Sequence, residues 1–507
     1  MRLQKFSLVV LIFCKSILFS QTPVPNPVKN DFSGTLSFLA SDWMEGREAT
    51  SKGGFKAADY IASMMELYQL TSYNNQSQTK NKTFFQDFKI RRHTVEAVSL
   101  TINNGTTTTI VLSPKTEYQV TPVNESLKKE TSIVFAGYGL SLPKENYDDY
   151  KKITVKDKVV LILKGYPGYK DTTSIGYKKF KKRFPEENNL EETKIQNAIQ
   201  QGATAILFLD ADGDFKPNST DDAIFHSLEK PTSLSVPIFR LSASATQFFL
   251  AGTSIRLSET EKKAAQKLET SSSLLPNKKC HFSIELKSET LPVRNVIGMI
   301  PGKDTSKTII IGAHYDHLGI KNDSIYNGAD DNASGASGML ALAKNWSESK
   351  IQPPYNMVFA SWTAEEMGLL GSEYFVDHFD LSKQKILLCV NMDMISRSAP
   401  EDQKQRILSI GTQKEDENLR KIATACNQNL PNPFELDLWE TNGHTGSDYA
   451  SFTAKGIPIM TFFSGFHKDY HSPRDRAESV DLNKEKDVLS IVNTSILKFI
   501  ETHSTTK

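Results

Sequence analysis

Four stretches in the second half of the chain are apolar almost without interruption: 308–313 (TIIIGA), 356–362 (NMVFASW), 385–392 (KILLCVNM) and 456–463 (GIPIMTFF). A strand with one face in water alternates apolar and polar residues. A strand that is apolar throughout needs cover on both faces. Stretches of helical character separate the runs, such as 337–346 (SGMLALAKNW). Buried strands alternating with helices predict an α/β architecture, with a mostly parallel, mixed sheet flanked by helices.

The residues just after each run carry chemistry. TIIIGA leads into His314, Asp316 and His317, and NMVFASW into Glu365 and Glu366. KILLCVNM leads into Asp393, and GIPIMTFF, after a short loop, into His467, Asp469, Tyr470 and His471. Sites in open α/β sheets gather beyond the carboxyl ends of the strands, so these groups are predicted to meet at one edge. The loop 328–335 (GADDNASG) adds Asp330 and Asp331 just before a helix. One histidine after a strand is ordinarily structural, and a Glu-Glu pair is ordinarily solvated surface. Several carboxylates and imidazoles at one buried edge are different, because each unpaired ion there costs several kcal/mol. A bound dication removes that cost. Nitrogen and oxygen donors without thiolates suit zinc, with cobalt or manganese as substitutes.

The remaining chain divides by pattern. Residues 31–70 read as helical, with Phe55, Ala58, Ala62, Met65 and Tyr68 at helical spacing behind the turn-rich 39–48 (LASDWMEGRE). From 83 to 134 short alternating strands are expected, and 131–265 reads as a strand-rich unit with one or two helices. Within it, Ser258 and Glu261 have capping-box spacing for a short helix. The polar, proline-containing 270–279 (TSSSLLPNKK) reads as a linker. A chain of 507 residues exceeds the roughly 250–300 at which single cores stop growing. The predicted division is a leader over 1–20, an N-terminal part of the main domain over 21–110, an insert over 111–280 and the main domain over 281–507.

The leader has Arg2 and Lys5, an apolar stretch 6–14 and a small residue, Ser20, before a cut near Gln21. This is secretory, and the run is too short to anchor in a bilayer. The expected location is therefore secreted or periplasmic. Cys280, Cys389 and Cys426 remain after cleavage; they allow one disulfide at most, lack CxxC spacing and are expected to be buried thiols. A net charge of +1 demands no nucleic-acid or anionic-membrane partner, and the basic run 178–183 reads as a solvated face.

The motifs AHYDHLG, GADDNASG, TAEEMGLLGS, NMDMI and DYHSPRD, in that order, resemble the co-catalytic zinc exopeptidase family that includes aminopeptidase Y and bacterial leucyl aminopeptidases. The resemblance covers about 295–490, and LASDWMEGRE matches the family's start. Separately, VFAGYGL, YDDY and DKVVLILKG, within 131–265, resemble the protease-associated domain often inserted in these enzymes. The family resemblance implies a phosphorylase/hydrolase-like fold, two zinc ions and peptide substrates. It implies that His314 and Asp393 bind one ion, that Glu366 and His471 bind the other, and that Asp331 bridges both, with its peptide bond to Asn332 cis. Glu365 is implied as general base and Tyr470 as an oxyanion donor. Asp316 and Asp475 are implied to orient His314 and His471. His317 and His467 fall to loop or rim positions. Tyr449, in SDYASF, stands where the family often has histidine, which bears on side-chain preference. The motifs leave open a carboxypeptidase, a dipeptidase, a glutaminyl cyclase or a catalytically dead binding protein. The insert argues against the cyclase, and the complete ligand set against the dead protein.

Overall fold

The computed structural model describes residues 24–73, 83–105, 109–184, 187–215, 224–230, 236–441 and 446–504. The leader expected over 1–20 lies outside them. The four apolar runs become the strands Asp304–His314, Tyr355–Trp362, Lys385–Met392 and Ile459–Phe463. They are parallel neighbours, with Asp304–His314 between Tyr355–Trp362 and Lys385–Met392, and Ile459–Phe463 beyond the latter. Ile407–Gln413 adds antiparallel to Ile459–Phe463, and Glu435–Thr441 closes that edge parallel to Ile407–Gln413.

The uninterrupted apolarity of the runs follows from their two covered faces. Ile309 and Ile311 pack on one side with Leu340 of helix Gly335–Glu348 and with Leu489 and Val492 of helix Leu482–Ser504. Ile310, between them, packs on the other side with Val358, Phe375 of helix Leu370–Asp377 and Phe452. All eight residues of Tyr355–Trp362 are buried. Each such aliphatic or aromatic side chain contributes about 1.5–3 kcal/mol on leaving water. The helix Lys52–Leu67 joins the first face through Ala57, Ala58, Ile61 and Met65, so the helical reading of this region holds.

The stretch 83–134 does not break into short strands at its start. Phe85–Asn103 is one strand of 19 residues. It runs antiparallel to the still longer Ser273–Ile300, from Val296 opposite Phe85 to Lys279 opposite Asn103, with one irregularity at Glu285/Leu286. The C-terminal end of Ser273–Ile300 pairs with Tyr355–Trp362, and its N-terminal half with Leu127–Phe135. This ribbon therefore joins two sets of strands into one sheet. The second set, Leu127–Phe135, Val159–Leu163, Ala205–Leu209 and Ile238–Leu241, is parallel, with Tyr118–Thr121 antiparallel at its edge. It has its own core, built on Leu161, Leu207, Phe239 and Phe282.

Two local expectations are corrected. The linker read over 270–279 is mostly strand, because Ser273 and Leu274 already pair with Phe135 and Val134. Pro276 sits where the register shifts between Leu274 and Lys279, a place where a ladder tolerates a residue without an N–H. Ser258 lies inside helix Leu257–Lys267, whose cap position is Arg256 and carries no side-chain cap bond. Cys280, Cys389 and Cys426 are free and buried, as expected. Among the described residues no helix is long and apolar enough to cross a membrane.

Candidate metal centre

The parallel order delivers the carboxyl ends of the strands to one edge. His314 ends its strand, Asp393 directly follows Met392, and Glu365 and Glu366 follow Trp362 after a short turn. Asp331 comes from the turn before helix Gly335–Glu348. Its peptide bond to Asn332 is cis. Asn332 is fully buried, with Nδ2 donating to Met392 O and Oδ1 accepting from Gly335 and Met394 N–H.

Asp331 stands between two imidazoles. Its Oδ1 lies 3.6 Å from His314 Nε2, and its Oδ2 lies 3.1 Å from His471 Nε2. His314 Nε2 is also 3.3 Å from Asp393 Oδ1, and His471 Nε2 is 3.3 Å from Glu366 Oε2. Two imidazole–carboxylate pairs thus share one carboxylate, one pair at each of its oxygens. Two donors on one tetrahedral zinc, each about 2.0–2.1 Å from it, stand roughly 3.3 Å apart, so these spacings fit an ion in each half. The donor set is nitrogen and oxygen only.

The electrostatics favour added positive charge. Burial, then neighbouring Glu366, raises the Asp331 carboxyl. Burial also pushes Glu365 well above the ordinary carboxyl range. At His314 burial opposes the charge, yet Glu365 and Asp393 prevail and hold the imidazole well above its ordinary value. His471 is held up at about 9, where burial loses to Asp331 and Glu366. Burial likewise works against ionised Glu366, but bonds from His317 and His471 hold it far below the usual range.

The other residues read from the sequence take these places. Glu365 Oε2 is 3.9 Å from His314 Nε2, and its backbone N–H donates to Asp316 Oδ1 at 3.1 Å. Asp316 is fully buried beside His314, 3.9 Å from Nδ1 by its carboxylate and 3.2 Å by its carbonyl. Burial lifts its carboxyl to about 8. The bonds of Asp475 run elsewhere than expected. Its carboxylate accepts the N–H groups of Asp330 and Asp331 and a guanidinium N–H of Arg397. It orients the shared-carboxylate loop, not His471. Tyr470 stacks on His471 at 3.8 Å between ring centroids and stays 38% exposed at the mouth of the site.

Neither His317 nor His467 is a rim residue, since both are buried. His317 Nδ1 lies 2.7 Å from Glu366 Oε1 and 3.7 Å from Asp331 Oδ2, and its Nε2 has no hydrogen-bond partner. It completes a cluster of possible donors with Asp331, Glu366 and His471, beside that of His314, Glu365 and Asp393. His467 Nε2 is 3.6 Å from Asp330 Oδ2, and burial lowers its imidazole to about 4. Asp330, fully buried behind Asp331, accepts from Ser396 and from Arg397 N–H. Asp448 is buried near His314 and Asp393, and burial lifts its carboxyl to about 7. A cavity of about 230 Å³ opens in front of Asp331, Glu365 and Asp393, walled by Met394, Trp439, Tyr449, Phe463 and Phe466.

Residues 295–496 match the model described as Peptidase family M28. Leupeptin-inactivating enzyme 1 of Streptomyces exfoliatus is 32% identical over 174 residues, covering 34% of this chain and 36% of that protein. Leucine aminopeptidase 2 of Trichophyton equinum is 38% identical over 102 residues, covering 20% of this chain and 19% of that protein. The chain thus spans well under two thirds of the length of either relative. The solved structure of an aminopeptidase from Aneurinibacillus sp. strain AM-1 superposes with a TM-score of 0.52 over 94% of each chain, at 20% identity, which shows a shared fold. The five motifs and the residues of both donor clusters lie within the matched residues 295–496.

Proposed function

We propose that the chain is a secreted, two-zinc metallo-aminopeptidase that removes N-terminal residues from peptides. The observation that carries this reading is the position of Asp331 between two imidazole–carboxylate pairs, at the mouth of an apolar cavity with Glu365 on its wall. In this assignment His314 and Asp393 would hold one ion, Glu366 and His471 would hold the other, and Asp331 would serve both. Zinc bound there supplies a water of lowered pKa and a Lewis acid for the scissile carbonyl.

The chain's own residues do the rest. The Glu365 carboxylate takes a proton from the attacking water and returns it to the departing amine. Tyr470, exposed at the mouth, offers its phenolic O–H to the developing oxyanion. The walls of Met394, Trp439 and Phe463 receive an apolar side chain. The charge of the cavity bears on which peptide end enters. Its described lining includes Asp331, Glu365 and Asp393 but neither lysine nor arginine. The described lining therefore offers no guanidinium or lysine ammonium to clamp a terminal carboxylate.

The test is hydrolysis of a panel of peptides with free or blocked amino and carboxyl ends, with and without chelator. Cleavage is expected to need the free amine, to stop with chelator and to return with zinc. A requirement for the free carboxylate would reverse the polarity. No cleavage by folded, zinc-loaded protein would bring back the cyclase and binding-protein readings.

We also infer an exported protein beginning near Gln21, with residues 111–280 as a protease-associated insert lying over the active-site edge. Mass spectrometry of the exported chain checks the first point; a chain still starting at Met1 contradicts it. Removing the insert should change the rate ratio between long and short peptides, and an unchanged ratio counts against the lid role.

A further inference from the structure

Arg47 lies outside the family segment 295–496, and none of its surface reaches solvent. It ends the short helical turn Asp42–Arg47. Its guanidinium donates to four main-chain carbonyls: Nε to Tyr315 O at 2.7 Å, Nη1 to Leu39 O at 2.7 Å and Asn327 O at 2.6 Å, and Nη2 to Gly328 O at 2.8 Å. Tyr315 directly follows the ligand His314. Asn327 and Gly328 lead into the Asp331 turn. One side chain therefore holds both arms of the site.

The surrounding main chain reinforces the clasp. Arg47 O accepts the N–H of His317 at 3.3 Å. Asn327 Nδ2 donates to Ala40 O at 3.0 Å and to Asp42 Oδ1 at 2.8 Å. Gly46 makes the approach possible, since a Cβ there would stand 2.5 Å from the carbonyl oxygens of both Gly319 and Tyr326.

A guanidinium buried among neutral carbonyls keeps its full charge to be balanced from farther away. Burial lowers it to about 10, opposed by Asp331, Asp475, Asp316 and Glu366, so it stays protonated at neutral pH. The fork is what the place requires. A lysine ammonium offers one nitrogen and cannot span carbonyls on three separate segments.

We infer that Arg47 is a positioning residue of the metal centre: it ties the loop after His314 to the loop before Asp331 and so sets the spacing between an imidazole ligand and the shared carboxylate. The inference rests on the two-ion reading above. Its test uses the full chain with Arg47→Lys and, separately, Asn327→Ala. Zinc affinity is read by competition with a chromophoric chelator, beside the Tm of the metal-free proteins and kcat and KM at saturating zinc.

Arg47→Lys is expected to weaken zinc binding roughly 10–100-fold, the usual effect of losing an outer-shell partner, and to lower kcat more than it raises KM. Asn327→Ala, which loosens the same clasp from the other side, should move zinc affinity in the same direction. A folded Arg47→Lys protein with a lower Tm but zinc affinity within about twofold of the parent overturns the inference, because a merely structural clasp would behave so. Should Arg47→Lys fail to fold, the zinc affinity of Asn327→Ala decides by the same criterion. A parent chain that takes up no zinc overturns the metal-centre reading itself, a result distinct from a failure of Arg47 alone.

Discussion

Glu365→Gln is expected to lower kcat by roughly 10²–10⁴-fold while leaving the zinc content of the protein unchanged, as the loss of a general base does. The substitution keeps shape and removes only the capacity to take a proton. The anchors of this turn are main-chain groups. The Glu365 N–H is held by Asp316, and its carbonyl accepts from Gly368 and Leu369 N–H, each at 2.9 Å. The Glu365 carboxylate stands 3.9 Å from His314 Nε2, farther than the 3.3 Å of Asp393. In the assignment above Glu365 holds neither ion, so metal retention is expected not to depend on it. The check is kcat on an N-terminally free peptide beside zinc content by elemental analysis. Undiminished kcat would remove Glu365 from the role of base, and lost zinc would make it a ligand.

Asp331→Asn is expected to abolish activity by a different route, through loss of metal. A carboxylate offers one anionic oxygen to each half of the centre, with Oδ1 toward His314 and Oδ2 toward His471. An amide offers one neutral oxygen and turns N–H donors toward the other half. Bound zinc should fall below two per chain. The metal-free protein should not suffer in parallel. Burial and Glu366 already work against an ionised Asp331, so removing that charge relieves crowding among the carboxylates. The expected pattern is a Tm without zinc within a few degrees of the parent, together with loss of the stabilisation that added zinc gives the parent. Two zinc ions retained with full activity would exclude Asp331 as the bridge.

The part of this protein legible in its sequence is the part where side chains alone decide. The four apolar runs announce strands covered on both faces, and Ile309, Ile310 and Ile311 do pack alternately on opposite sides. Their polar ends announce an edge where charges meet, and His314, Asp331, Glu366, Asp393 and His471 are brought together there. The features that stayed hidden depend on the main chain or on orientation. Asp475 comes soon after His471 in sequence but spends its carboxylate on the N–H groups of Asp330 and Asp331. The Arg47 side chain bonds only to carbonyls, and its one signal in the sequence was its place in LASDWMEGRE. His317 looked like a loop residue because position after a strand does not say which way a ring turns; it turns inward, to Glu366. The only signal for it was its place in AHYDHLG. Ser273–Ile300 was obscured by Pro276 and a polar stretch, where its ladder is irregular.

The central claim is a pair of ions sharing Asp331. The most direct measurement is anomalous diffraction at the zinc edge from crystals of the zinc-loaded protein. Two peaks are predicted roughly 3.5–4 Å apart, one against His314 and Asp393, the other against Glu366 and His471, with Asp331 touching both. A single peak, or two peaks that do not share Asp331, would contradict the two-ion centre.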